Sequence, residues 1–180
     1  MAKPQAVEID DATLVERAGR GDEQAFAQIY CRYARYIAGV AFRLTGDDSA
    51  VDDLVQETFV AAHRGLAKMR DPEQLRPWLV TIAVRRSRRH IGKLARARKG
   101  RAEIARSAPR AGDARDTERI DELHEVLDRI PTKYRVPWVL SRVEGMTLNE
   151  VADASGWSVA TIKRRIAQAE QRLKRMLDGY

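Results

Sequence analysis

The sequence predicts an all-α protein built from two small helical domains. Glycine and proline are sparse, at 11 and 6 of 180 residues, and apolar residues recur at intervals of three and four, which is the period of an amphipathic helix. Residues 94–117 are instead rich in Arg and Ala, with little large apolar content, a composition that favours a flexible linker. We therefore expect one helical domain over residues 10–93, a basic linker over 94–117 and a second helical domain over 118–178.

Four helices are predicted in the N-terminal domain. The first covers residues 13–20, and the second is a long core helix that follows an N-cap at Asp22 and ends at Gly46. The polar residues 47–49 are expected to cap the third helix. The fourth is expected to begin at Pro77, because proline fits the first helical position, where its missing N–H costs nothing.

The C-terminal domain is predicted to end in a helix-turn-helix. Thr147 and Glu150 form a capping box at the start of its first helix, and Gly156 can take the left-handed conformation of a tight turn. Ser158 is a suitable N-cap for the second helix. A helical hairpin whose basic face is only solvated is the alternative. The buried stripe of the second helix is expected to contain Ile162, Ile166, Ala169, Leu173 and Leu177.

Two shorter helices are expected before this motif. One covers residues 120–130, and the other covers residues 134–143 and closes at Gly145. Pro137 lies inside the second of them and removes one amide hydrogen bond. The sequence therefore predicts a late start or a kink over residues 134–138.

Composition and charge narrow the classes of function. The chain carries 33 Lys and Arg against 26 Asp and Glu, a formal net charge of +7, which favours nucleic acid as a partner. Cys31 is the single cysteine, which excludes an intrachain disulfide and a Cys-based zinc site, and the three histidines lack ligand spacing. We predict no metal and no cofactor. Without a signal peptide or an apolar run of membrane length, we expect a cytoplasmic protein with no direct membrane insertion.

Two surfaces of opposite charge are predicted in the N-terminal domain. No acidic residue occurs over residues 74–102, where ten positions are Lys or Arg. On the third helix, Asp53, Gln56, Glu57 and Val60 recur at i, i+3, i+4 and i+7, opposite the apolar stripe. An acidic and amide stripe on a basic protein suits docking to a basic protein partner. An ordinary solvated helix face would show the same residues.

Three segments, taken in order, point to a family. Residues 52–59 (DDLVQETF), residues 78–83 (WLVTIA) and residues 127–145 with the helix-turn-helix resemble regions 2.2, 2.4 and 4 of the sigma-70 family, in its extracytoplasmic-function (group IV) branch. The resemblance covers about residues 10–178. It implies a dissociable initiation factor without catalysis of its own, which directs core RNA polymerase to promoters and helps to open them.

The resemblance implies contacts to polymerase and to the −35 element. Region 2.2 of such factors binds the clamp helices of the largest catalytic subunit, which implies Asp53, Gln56 and Glu57 as the contacts here. Region 4 packs on the flap of the second large subunit and reads the −35 element with its second helix in the major groove. The implied −35 contacts are Lys163, Arg164 and Gln168 to base edges, with Ser158, Thr161 and Arg165 to phosphates.

The resemblance also implies a −10 reader in the N-terminal domain. The segment after region 2.2 captures a flipped base in the family, and the following basic helix reads the upstream part of the element. Binding of single-stranded DNA needs a positive groove and a pocket for an unstacked base. The implied −10 contacts are Arg70, Arg85, Arg86, Arg88 and Arg89.

Two other classes of function fit these residues less well. An autonomous helix-turn-helix regulator would bind an operator without joining polymerase, but it requires neither the stripe on the third helix nor a second basic helix. An enzyme is disfavoured because no paired carboxylates, metal cluster, phosphate loop or nucleophile motif occurs. The resemblance further implies an anti-sigma factor as a partner, and a flexible linker would let the two domains be clamped together or spread over polymerase.

Overall fold

The computed structural model describes residues 9–100, 127 and 129–177. No strand occurs among these residues, so the all-α prediction is confirmed. Short 3-10 turns cover Asp48–Ala50, Leu66–Lys68 and Pro72–Gln74, and a π-helical segment covers Val139–Val143. The α-helices are α1 (Asp11–Gly19), α2 (Glu23–Thr45), α3 (Val51–Gly65), α4 (Leu75–Gly100), α5 (Thr132–Trp138), α6 (Leu148–Ser155) and α7 (Val159–Leu177). The N-terminal unit contains α1 to α4, and the C-terminal unit contains α5 to α7.

Aspartate caps determine where α1 and α2 begin. Asp22 Oδ1 accepts hydrogen bonds from the Gln24 and Ala25 amides at 3.0 and 3.1 Å, which confirms the predicted cap. α1 begins at Asp11 rather than residue 13, because Asp10 Oδ1 already accepts a bond from the Thr13 amide at 2.7 Å. Each carboxylate satisfies an amide that has no partner inside its helix.

α2, α3 and α4 enclose the core of the N-terminal unit, and α1 packs on α2. Phe59 from α3 and Leu79 from α4 are both buried there. Gly65 permits a close approach at the end of α3, because a Cβ at this position would lie 3.1 Å from Cζ2 of Trp78. The half-buried Trp78 ring therefore covers this end of the core.

The predicted beginnings of α3 and α4 need correction. Residues 47–49 do not simply cap α3: a 3-10 turn forms there, in which the Ser49 hydroxyl donates to Asp47 Oδ1 at 2.6 Å, and α3 begins after it. Pro77 is the third residue of α4, because that helix begins at Leu75. Proline is tolerated there since the first-turn amides lack intrahelical acceptors. α4 also continues to Gly100, past the predicted linker boundary at residue 94.

Near Pro137 the sequence predicts a late helix start or a kink, whereas the structure changes from α-helical to π-helical geometry after Trp138. A late start is wrong, because α5 begins at Thr132 and its first turn is closed by the Tyr134 and Arg135 amides bonding to the Pro131 carbonyl. The α-helical geometry passes through Pro137 and ends at Trp138, and the π-helical segment follows directly. A proline that donates no amide hydrogen bond loosens the helix at this point.

The helix-turn-helix has the predicted local structure. The Thr147 amide donates to Glu150 Oε2 at 2.7 Å, and the Glu150 amide donates to Thr147 Oγ1 at 3.3 Å, so the capping box is complete. Gly156 ends α6 with a φ of 64°. Ser158 caps α7 by accepting from the Thr161 amide at 3.3 Å. Ile162, Ile166 and Ala169 are buried as predicted, whereas the Leu177 side chain lies outside the described residues.

The two units pack against each other, which the sequence did not indicate. α4 contacts α6, α2 contacts α5, and one buried apolar cluster includes residues of both units. The Arg135 guanidinium, buried in the C-terminal unit, donates across the boundary to the Leu44 carbonyl at 3.2 Å. Most of the expected helix over residues 120–130 and of the linker lies outside the described residues. The domain limits therefore stay a prediction.

Candidate polymerase and nucleic-acid interfaces

The acidic and amide stripe lies on one exposed face of α3. Asp53, Gln56 and Glu57 are all exposed, while Leu54 and Val55 on the opposite side are buried. Glu57 Oε2 lies 3.7 Å from Arg86 Nη1 on α4. The predicted polymerase contacts are therefore brought together, and one of them also pairs with a predicted −10 contact.

An apolar groove runs beside this stripe, between α2 and α3. The rings of Tyr30 and Phe59 meet edge to face with centroids 4.8 Å apart. Tyr30 and Val60 are each 44% exposed, which is unusual for large apolar side chains, and Gln56 lies at the groove's edge. This groove was not predicted from the sequence. The signal that could have indicated it is the spacing of Phe26 and Tyr30, which are one helical turn apart. The lining consists of Phe26, Tyr30, Gln56, Phe59, Val60, His63 and Arg64.

The basic side chains of the N-terminal unit differ in accessibility. Arg85 and Arg89 are exposed on α4, whereas Arg86 and Arg88 are half-buried. Arg70 is exposed but lies in the connection before α4, between two 3-10 turns. The five predicted −10 contacts therefore do not form one uniform exposed surface.

A side-chain contact connects α4 to the turn before α3. His90 Nε2 lies 3.2 Å from Asp47 Oδ2. The hydrogen bond from the Ser49 hydroxyl and, after it, the contact with His90 hold the pKa of Asp47 below its ordinary value. This contact positions the middle of the basic helix against the N-terminal unit.

The second helix of the helix-turn-helix presents only some of its predicted DNA contacts freely to solvent. Lys163 and Arg164 are exposed, while Arg165 and Gln168 are half-buried. The Ser158 and Thr161 hydroxyls hydrogen bond to each other at 2.9 Å, so both already take part in the cap of α7. If they bind phosphates as predicted, these hydroxyls would do so while they also cap the helix.

Trp157, which the sequence reasoning did not select, joins the two basic surfaces. The Arg165 guanidinium carbon lies 3.9 Å from the centroid of its ring, and that of Arg88 lies 4.7 Å from it. Trp157 belongs to the turn of the helix-turn-helix, whereas Arg88 belongs to α4. A predicted −10 contact and a predicted −35 contact therefore stack on one indole through cation–π interactions.

Glu144 forms a second contact between the units that the sequence did not reveal. Its carboxylate is 1% exposed and accepts from Arg43 Nη2 at 2.5 Å and from the Tyr36 hydroxyl. Burial and, after it, this hydrogen bond raise the pKa of Tyr36. The Arg76 guanidinium lies 4.6 Å from the centroid of the Tyr36 ring. Two side chains of the N-terminal unit therefore bind one carboxylate of the C-terminal unit, and a third packs on one of them.

Neither a metal site nor a membrane-spanning helix occurs in the part of the chain that the structure describes. No three His, Cys, Asp or Glu side chains are grouped there in a way that could hold a metal ion. No helix there combines the length and the apolar character needed to cross a bilayer.

A helix-turn-helix joined to a second basic helical unit defines a class of DNA-binding transcription proteins. Comparison with known families specifies which class. Residues 29–97 match Sigma-70 region 2 and residues 120–173 match Sigma-70, region 4. The chain is also 31% identical to the RNA polymerase sigma factor NccH of Alcaligenes xylosoxydans xylosoxydans, over 94% of this chain and 95% of the relative.

A second relative and a solved structure agree with this assignment. The ECF RNA polymerase sigma-E factor of Escherichia coli K12 is 28% identical, over 91% of this chain and 92% of that protein. The structure of CnrH in complex with the cytosolic domain of CnrY has a similar fold, with a TM-score of 0.63 and 28% sequence identity to this chain. The match covers 94% of this chain and 97% of that chain. The protein belongs to the sigma-70 family, in its extracytoplasmic-function branch. It is an alternative sigma factor, a transcription initiation factor that is not an enzyme.

Proposed function

We propose that this sigma factor binds core RNA polymerase through the exposed stripe of α3. The observation that carries the proposal is the location of Asp53, Gln56 and Glu57 on one face, directly beside the apolar groove. An acidic stripe with an adjoining apolar surface suits a partner helix that is basic on one side and apolar on the other. The clamp helices of the largest polymerase subunit are the proposed partner, with the flap of the second large subunit receiving the C-terminal unit.

α7 is the proposed reader of the −35 element. Its capped start leaves Lys163 and Arg164 exposed on the second helix of the helix-turn-helix, which is the helix that enters the major groove in this motif. These two side chains, with Gln168, are proposed to contact base edges. Ser158, Thr161 and Arg165 are proposed to bind the flanking phosphates.

The N-terminal unit is the proposed reader of the −10 element. Arg70, Arg85 and Arg89 are exposed and are proposed to bind the single strand as the promoter opens. Arg86 and Arg88 are proposed to join them after leaving their present protein contacts. Strand opening by such a surface is work done by binding energy, because the protein holds unpaired bases while polymerase performs the chemistry.

We also propose that an anti-sigma factor controls this protein in the cytoplasm. The related CnrH was solved in complex with the cytosolic domain of CnrY, and a second protein of similar fold in complex with the anti-sigma factor NepR. The exposed apolar groove offers a surface of the kind that partners cover. The proposed domains are residues 10–93 for polymerase binding and the −10 element, 94–117 as linker, and 118–178 for the −35 element.

Run-off transcription with purified core polymerase tests the central proposal. We expect transcription to depend on the added protein. Gln56→Ala combined with Glu57→Ala should weaken core binding while leaving −35 duplex binding unchanged. Glu16→Ala combined with Gln28→Ala is the matched control, because it removes the same residue types from exposed positions of α1 and α2. Loss of duplex binding with unchanged core binding would assign the stripe to the wrong partner.

A further inference from the structure

A group of cations and aromatic rings lies on one side of the C-terminal unit, between α5 and α7. Lys133 Nζ lies 4.8 Å from the centroid of the Tyr134 ring, and the Arg172 guanidinium carbon lies 4.5 Å from the same centroid. Arg165 precedes Arg172 by about two turns of α7, and its guanidinium carbon lies 3.9 Å from the centroid of the Trp157 ring. Lys133, Tyr134 and Arg172 are not among the DNA contacts that the sequence predicts. We name Lys133, Tyr134, Arg165 and Arg172 the Tyr134 cluster.

The Tyr134 cluster has a positive potential without a neighbouring counter-charge. A hydrogen bond from Lys133 lowers the pKa of Tyr134, and the charges of Lys133, Arg172 and Arg165 add to this shift, although partial desolvation opposes it. Within the described part of the chain, none of these three cations pairs with a carboxylate. Like charges that converge on one phenol repel one another, and a bound anion would offset that repulsion. The cluster therefore has the character of an anion-binding site.

Contacts with the rings orient the donors of this site. Stacking of Arg172 on Tyr134 and of Arg165 on Trp157 restricts each planar guanidinium, while its edge can still donate hydrogen bonds. Guanidinium donors in a planar fork match the oxygens of a phosphate, and the Lys133 ammonium adds a compact charge beside them. A phosphate group is therefore the anion that this set of donors fits.

The cluster lies on the flank of the helix that is proposed to enter the major groove. Arg165 and Arg172 each follow an exposed residue, Arg164 and Gln171, by one position, which is about 100° around the helix. A helix with its side chains is about 10–12 Å wide and the major groove is about 12 Å wide, so flanking side chains reach the phosphate backbone. The contacts of Tyr134 lie within the C-terminal unit, so the site does not depend on how the two units pack.

We propose that the Tyr134 cluster binds a backbone phosphate of promoter DNA beside α7, with Lys133 and Arg172 as the contacts and Tyr134 as the residue that positions them. The proposal rests on the reading of DNA by α7 proposed above. It extends the phosphate contacts beyond the first turn of α7, where Ser158 and Thr161 lie, to the later turns of that helix and to α5. A contact from a second helix restricts the rotation of α7 in the groove more than contacts from α7 alone.

Duplex binding by the full chain tests the two cations. Lys133→Gln combined with Arg172→Gln should weaken binding of a short labelled DNA duplex of arbitrary sequence about tenfold, because two partly exposed charge contacts are lost. The salt dependence should become shallower by up to about two units of slope. Lys133→Arg combined with Arg172→Lys keeps both charges and should keep most of the affinity.

The matched control removes the same residue types elsewhere. Arg35→Gln combined with Lys68→Gln changes exposed positions of the N-terminal unit that are not predicted DNA contacts. We expect little change in duplex affinity, because neither side chain belongs to a proposed DNA surface. A loss in the Lys133 and Arg172 variant that is no larger than the loss in this control would overturn the proposal.

Two changes at Tyr134 separate positioning from charge. Tyr134→Phe keeps the ring and should retain most of the affinity. Tyr134→Leu removes the ring and should weaken duplex binding about threefold, because the cation–π contacts that orient Arg172 are lost. The salt slope should stay nearly unchanged, since both cations remain. Equal affinities of the two variants would show that the ring does not position the cations.

Nuclear magnetic resonance locates the bound anion. In the full chain with ¹³C-labelled tyrosine rings, Tyr134→Phe identifies the Tyr134 signal, which should move when the duplex is added at neutral pH. Inorganic phosphate and a polyglutamate peptide are the competing probes. A larger response to either of them than to the duplex would assign the cluster to a free anion or to an acidic protein, and it would overturn the proposal.

One further variant distinguishes a failure of this site from a failure of DNA reading by α7. Lys163→Ala combined with Arg164→Ala should also weaken duplex binding. Loss of binding in this variant, but not in the Lys133 and Arg172 variant, would overturn the cluster and leave α7 as the reader. The opposite result would leave the phosphate site standing and contradict the contacts proposed for Lys163 and Arg164.

Discussion

The two basic helices of this sigma factor present their charges in different ways. On α7, Lys163 and Arg164 are exposed at the start of a helix with a complete cap. On α4, Arg86 lies 3.7 Å from Glu57, and Arg88 stacks on Trp157. The start of α7 therefore offers two proposed DNA contacts in a preformed, exposed arrangement, although Arg165 further along it stacks on Trp157. On α4, DNA must compete with protein contacts for Arg86 and Arg88.

The largest expected difference between the units concerns their cores. Ile29 in α2 and Ile162 in α7 are both 0% exposed, so either isoleucine-to-alanine change removes apolar contacts worth about 2–5 kcal/mol. We expect Ile162→Ala to unfold the C-terminal unit, because two of the three helices around its core have only 7 and 8 residues. Ile29→Ala should leave the N-terminal unit folded but less stable. Thermal unfolding by circular dichroism, with hydrogen exchange, locates the loss. An equal fall of one shared transition in both variants would show that the units unfold as one body.

The next largest difference is expected between the contributions of α7 and α4 to DNA binding. Lys163→Ala and Arg164→Ala should each cost about 1–3 kcal/mol of binding to a −35 duplex, because each removes an exposed side chain that is proposed to contact a base. Arg86→Ala and Arg88→Ala should each cost less binding free energy on a −10 single strand. Part of the energy that these side chains gain from DNA only replaces the protein contacts that they give up. Fluorescence anisotropy with both probes makes the comparison. Equal losses for the two pairs would contradict the distinction between a preformed and an engaged surface.

Two glycines provide a matched test of local stability. Gly46 ends α2 and Gly156 ends α6, and both have a φ of 64°. Alanine at either position should cost about 1–2 kcal/mol, because a Cβ disfavours the left-handed conformation. Urea unfolding measures the change in free energy. A negligible effect at Gly156 alone would mean that the turn of the helix-turn-helix relaxes, so that the C-terminal unit is less rigid than its capping indicates.

The smallest expected effect is a dependence of stability on alkaline pH. The pKa of Tyr36 is raised above its ordinary value of 10.0 by burial and by Glu144. The contribution of Tyr36 to stability is therefore fully present below pH 10.0 and is lost as pH rises through the higher pKa of the folded state. In urea unfolding measured as a function of pH, Tyr36→Phe should lack this dependence. An identical pH response in both proteins would show that the contact of Tyr36 with Glu144 does not stabilise the fold.

Much of the candidate site could be predicted because it depends on local spacing. The exposed face of Asp53, Gln56 and Glu57 follows from the period of one helix, and the caps at Thr147 and Gly156 follow from residues within one turn. The start of α4 was misjudged for a local reason as well, since proline is tolerated at several positions of a first turn and does not single out one.

Other parts of the site join residues that are distant in sequence. Tyr36 and Glu144 are separated by 108 positions, and neither belongs to a motif. Arg88 and Arg165 were predicted as DNA contacts from their charge, but only the fold shows that Trp157 receives both. Contacts of this kind depend on how two units meet, and periodicity within a helix carries no information about it.

The sequence by itself determined the all-α class, the helix-turn-helix, the exposed face of α3 and the family, because these follow from short-range hydrogen bonding and from the helical period. Only the tertiary structure decided which charges are available. It buries Glu144 between Arg43 and Tyr36 and brings two like-charged arginines onto one indole. The free energy of a charged side chain depends on the dielectric surroundings and on the partners that packing supplies.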